Sequence, residues 1–152
     1  MRLALKTFSR NTRGGAAIEF AVIGPAIVIL LIAVTDFGLG FYRRMQTQTA
    51  AQRGAIYATT ASGFNVAEVS GVITATRGSI TATPAPYTFC GCPTSNGVSA
   101  IACASSCTIG GTSVKAGAYV SASAQTIYTT IFRYPGLTSP MTFSATQVVR
   151  IQ

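Results

Sequence analysis

"GAAIEFAVIGPAIVILLIAV", residues 15–34, decides how this chain folds. It carries one charge, Glu19, and none from Phe20 to Val34. A helix of about 20 residues rises about 30 Å, the thickness of a bilayer's hydrocarbon core. The predicted span therefore runs from about residue 16 to 35, where Asp36 interrupts it. Its flanks agree. Arg2, Lys6, Arg10 and Arg13 precede it, while Phe37, Phe41 and Tyr42 follow it and lead into Arg43 and Arg44. Aromatic side chains and then charge is the order expected at a membrane interface. A cleaved secretory signal is a poorer reading, because the apolar region is long and no convincing small-x-small site precedes Asp36.

Further along, "FGLGFYRRMQTQTAAQRGAIYATTA", residues 37–61, has no proline. Phe41, Met45, Ala51, Ala55 and Ala58 recur at near-helical spacing. One helix is thus predicted from Gly15 to Ala61, kinked at Pro25 and ended by Gly63; a proline kink is tolerated inside a membrane. "VAEVSGVITAT", residues 66–76, reads as a short helix in preference to a strand. The remainder reads as β. Pro84 and Pro86 demote "SITATPAPYTFCGC" to an edge strand or extended loop. Residues 116–133 and 140–151 alternate and flank a Pro-Gly turn, which predicts a hairpin packed on the distal half of the long helix. The class is α+β: a long N-terminal transmembrane helix, a small antiparallel sheet, and a disulfide-stapled loop. The expected divisions are a leader over 1–14, the helix over 15–61, and a β-rich extracytoplasmic domain over 62–152.

Composition removes most chemistry. The 152 residues hold 11 Lys and Arg, 3 Asp and Glu, and no His, for a net charge of +8. Without His, the commonest general base and metal ligand is missing, and a Ser-His-Asp triad is impossible. Past the long helix the only acid is Glu68, so paired carboxylates are impossible there too. Ser113 and Lys115 lie in a Gly-rich turn without a supporting motif, and "IGGT" at 109–112 is too short for a phosphate loop. No enzyme and no cofactor are expected. The basic balance could suggest nucleic acid, but the charges flank the apolar run or lie scattered at Arg53, Arg77, Lys115, Arg133 and Arg150, with no stripe or patch. Nucleic acid is therefore not an expected partner.

Cys90, Cys92, Cys103 and Cys107 cluster beyond the apolar run, in a place that suggests an oxidising compartment. Disulfides are expected. The C-x-C spacing fits a structural zinc knuckle poorly, so no metal is expected. Pairing Cys90 with Cys92 would strain a ring across Gly91 alone. Two links between the segments remain, nested or crossed. The nested set, Cys90–Cys107 with Cys92–Cys103, is preferred.

"RGGAAIEFAVIGPAIVILLIAVTDFGLGFYRR…AAQRGAIYA", over residues 10–58, resembles the TadE-like minor pilins, or pseudopilins, of tight-adherence (Tad/Flp) pilus systems. The resemblance implies cleavage by a prepilin peptidase between Gly14 and Gly15, which makes Glu19 the fifth mature residue. It also implies other pilin and pseudopilin subunits, an inner-membrane assembly platform and the lipid bilayer as partners. The expected site is the inner membrane, crossed once, with a cytoplasmic N-terminus and a periplasmic C-terminal domain. Removing the leader would discard four of the 11 basic residues and half the net charge. Glu19 either snorkels at the interface or pairs with the new α-amino group at Gly15. The first mature residue would be Gly, so methylation of an N-terminal Phe does not carry over. The alternative function is a bitopic envelope protein with a binding or adhesive β domain that never assembles.

Overall fold

A run of Ala, Ile, Val and Leu uninterrupted by turn residues has one way to satisfy its backbone in an apolar medium, which is to bond each N–H to the carbonyl four residues back. The computed structural model describes residues 14–133, 136 and 138–151, apart from the side chain of Ala16. In it a single helix, α1, spans Gly15–Thr60 and continues through Pro25. The basic leader lies, up to Arg13, outside the described residues. Hydroxyls inside the helix donate to carbonyls one turn back: Thr35 to Leu31 at 2.8 Å, and Thr47 to Arg43 at 2.9 Å. No threonine on this path needs water to be satisfied. Near Thr60 the same habit helps end the helix, as the Thr59 and Thr60 hydroxyls turn back on Ile56 and Tyr57.

The chain divides into two units, up to Leu39 and from Gly40 onward. In the first, α1 presents apolar side chains all round: Ile18, Phe20, Val22, Ile29, Leu30 and Val34 are each more than half exposed. A helix that is apolar on every side has lipid or protein as its solvent.

In the second unit the rest of α1 buries one face. Gly40, Thr47, Ala50, Ala51, Gly54, Ala55 and Ala58 are buried, whereas Phe41 and Met45 are exposed. Phe41 and Met45, which share the near-helical spacing, therefore lie off the buried seam. The seam is built from small residues because the helix lies close to a flat sheet and to a second helix. At Gly54 an added Cβ would stand 2.6 Å from Cγ1 of Ile73 and 3.6 Å from Cβ of Ala122. The second helix, α2, spans Val66–Ala75. Asn65 caps it by accepting from the Ala67 N–H at 2.9 Å, and Glu68 three residues on completes the N-terminal signature. Val69 and Ile73 turn inward from α2.

Seven strands follow: β1 Ile80–Thr81, β2 Tyr87–Thr94, β3 Gly97–Ala100, β4 Ser106–Ile109, β5 Thr112–Lys115, β6 Gly117–Tyr128 and β7 Met141–Arg150. β6 is the central strand. β7 pairs antiparallel along one side of it, from Tyr119↔Arg150 to Tyr128↔Met141. The other side is shared by β1 at one end and β2 at the other. The predicted hairpin is thus present, although Tyr134, Pro135 and Leu137 of its turn lie outside the described residues. Val120, Ala122 and Ala124 of β6 meet Ala50, Ala51, Ala55 and Ala58 in the core, joined by Val69, Ile73 and Ile80. On the opposite face of β6, Ser121 and Ser123 are also buried, and Ser123 is hydrogen-bonded to Thr146 at 2.9 Å.

β2 changes partner at its midpoint. Tyr87 to Gly91 pair with β6, and Gly91 to Thr94 pair with β3. Gly91 alone faces a strand on both sides, Gly117 and Ala100. Pro93 survives in the ladder because only β3 flanks it there, so its missing N–H can face away from the sheet. Pro84 and Pro86 fall between β1 and β2, outside any strand. The β4–β5 hairpin forms a separate two-stranded sheet. Its turn is Gly110-Gly111, both at positive φ (57° and 83°), as a two-residue primed turn requires. That is the structural role of "IGGT".

Candidate functional site: the apolar helix and the disulfide loop

α1 begins at Gly15. Gly14, Gly15 and Glu19 are all exposed, and Gly15 and Glu19, four residues apart, share a helix face. There is no acid in the first turn of α1, so Glu19 is the first negative charge the helix meets. A carboxylate about one turn from the start of a helix interacts favourably with the positive end of the helix dipole. Asp36 is buried, at 2% exposure.

All four cysteines are bonded, Cys90 to Cys103 and Cys92 to Cys107. This is the crossed set, and it corrects the nested preference. The cause is the register of the β2–β3 hairpin. Gly91 pairs with Ala100, and the Ile101 N–H donates to the Cys90 carbonyl at 2.9 Å. The chain therefore leaves β3 alongside Cys90, and Cys103 closes on it. β4 then brings Cys107 back past the Gly91 carbonyl, 3.9 Å from its Sγ, to reach Cys92. The two bonds tie β2, the segment after β3 and the β4–β5 hairpin together.

Two polar clusters were not legible as such. Tyr57 on α1 donates to Glu68 on α2 at 2.9 Å, and the Asn65 amide donates to the same carboxylate at 3.3 Å. The nearby carboxylate accepts the phenol's hydrogen bond and repels its anion, so the Tyr57 pKa lies above the usual value. The second cluster gathers arginines that the sequence scatters. Arg43 donates to the Ser79 hydroxyl at 3.2 Å. Arg77 donates to the Gln46 side-chain oxygen at 2.9 Å, with its guanidinium 5.8 Å from the centre of the Tyr42 ring. Arg77 is 34 residues from Arg43 in sequence, so only the fold reveals them as neighbours.

The class is then clear: an α+β protein with, among the described residues, one helix long and apolar enough to cross a membrane, and a disulfide-bonded sheet domain built on that helix's distal half. Residues 14–55 match the model of the family described as TadE-like protein, so this stretch is similar to that family. The match covers most of α1 and none of the sheet. No curated protein and no solved structure matched the chain.

Proposed function

We propose that this protein is a minor pilin, or pseudopilin, that takes part in assembling a Tad/Flp type IV-like pilus used for adhesion. The observation that carries the reading is the start of α1 at Gly15, the residue after the expected cut, with Glu19 one turn further on. Cleavage between Gly14 and Gly15 by a prepilin peptidase would create an α-amino group at the head of the helix. Glu19 of the same or a neighbouring subunit then supplies its counter-charge. The apolar surface of the first unit suits two successive roles, contact with lipid before assembly and contact with other pilin subunits or the assembly platform afterwards. The role is structural and not enzymatic. The N-terminus lies in the cytoplasm and the sheet domain in the periplasm, where disulfides persist.

N-terminal sequencing of the protein from membranes, with and without the peptidase, tests this. A start at Gly15 that depends on the peptidase is the expected result. Met1 retained in both would refute it and favour a bitopic envelope protein that never assembles.

A further inference from the structure

Beyond Gly40 the sequence has seven basic residues and one acid, Glu68, which is engaged by Tyr57 and Asn65. Arg43 and Arg77 are held by neutral oxygens, Ser79 Oγ and Gln46 Oε1. Neither guanidinium is neutralised by the acceptor that positions it, and each has five N–H donors of which this contact uses one. They come from two elements that these contacts join, α1 and the connection between α2 and β1. Tyr42, half exposed, stands beside them.

Their place along the chain matters. Arg43 follows Thr35 by eight residues, about 12 Å of helix rise. Polar headgroups occupy roughly 5–8 Å on each side of the hydrocarbon core. Helical side chains lean as a rule toward the N-terminus, which here is the side of the apolar run. A tyrosine with its ring at headgroup level and two fixed guanidiniums match a phosphodiester oxyanion better than they match water.

We propose that Arg43 and Arg77, with Tyr42 beside them, form a site for the phosphate of an anionic phospholipid headgroup at the membrane surface from which α1 emerges. The proposal rests on α1 crossing the bilayer. The lipid neutralises a patch that the protein leaves positive, and fixes the depth at which the sheet domain sits.

The test uses the full chain in detergent, offered equal amounts of phosphatidylglycerol and phosphatidylcholine, with retained lipid counted by native mass spectrometry. At about 1 kcal/mol per arginine, two arginines give roughly a 30-fold preference for phosphatidylglycerol. R43Q/R77Q lowers it to near parity, while R53Q/K115Q, which removes the same charge elsewhere, leaves it in place. Equal preference in R43Q/R77Q, or equal loss in R53Q/K115Q, overturns the site. Displacement of the lipid by excess inorganic phosphate reassigns the site to free phosphate and overturns the lipid assignment. Flotation with vesicles of pure phosphatidylcholine keeps the two readings apart. All three proteins should float, and failure of the wild type to do so refutes the membrane span and the site together.

Discussion

Gly91→Ala asks for one methyl group at the most crowded described glycine of the sheet. Its Cβ would stand 2.5 Å from Cγ1 of Val98, 2.8 Å from the Ser99 carbonyl oxygen and 3.3 Å from Cε2 of Phe89. The Val98 side chain can rotate away, but the Ser99 oxygen belongs to the β3 backbone and has no such freedom. Both neighbours of Gly91 in sequence are disulfide-bonded, so the backbone is poorly able to shift. Overpacking of this kind costs about 1–3 kcal/mol, and the upper end applies where backbone is struck. Replacing glycine in a strand returns roughly 0.5–1 kcal/mol. The net is a destabilisation of about 2 kcal/mol, or a Tm lower by roughly 8–16 °C if the unfolding unit is about 100 residues. Thermal unfolding of the oxidised full chain in detergent, followed by circular dichroism, measures it. Gly78→Ala serves as control, because nothing lies within 4 Å of that Cβ. Mass mapping establishes that both proteins carry the same disulfides. An unchanged Tm for Gly91→Ala would mean that the close approach of β2 to β3 is not a constraint, and the explanation for that glycine would fail.

Alkylation counting checks the cysteine pairing: C90S/C103S and C92S/C107S each keep one bond and show no free thiol, whereas C90S/C107S leaves Cys92 and Cys103 unbonded. Each lost bond closes a loop of about 15 residues and should cost about 3 kcal/mol. The Tyr57–Glu68 contact gives a pH dependence. Because the folded-state pKa of Tyr57 is raised, its contribution is fully present below the unfolded phenol's value, about pH 10, and is lost as pH rises through the folded one. Tyr57→Phe should remove this alkaline loss in pH-dependent unfolding curves, and an unchanged pH profile would sink the assignment.

The long helix was readable because its signal is redundant: every residue from Phe20 to Val34 is uncharged. The β6–β7 hairpin was readable because period-2 alternation on both arms flanks a turn. Phe41 and Met45 share the helical spacing yet stay exposed, because periodicity gives spacing and not which side meets a sheet. The true seam has glycine and alanine where hydropathy carries little weight. The disulfide pairing failed for a different reason. A nested ladder assumes that the two cysteine pairs face each other across one turn, but Thr94↔Gly97 sets the register so that Cys90 faces Ile101 and Cys103 lies beyond it. "SNG" within that turn was the available clue. The arginine cluster had no clue at all, since Arg77 reaches α1 only through the path of α2.

The β4–β5 hairpin has almost no interior. Cys107 is its one buried residue, and every residue of β5 is exposed. What fixes the hairpin is a covalent bond to β2, and not an apolar core that its own side chains must fill. Substitutions at Thr108, Ile109, Thr112 or Ser113 therefore displace nothing inside the protein. Such a segment can change what it displays from one lineage to the next while the architecture beneath it stays the same, which makes it the region where selection can act on surface recognition at the least structural cost.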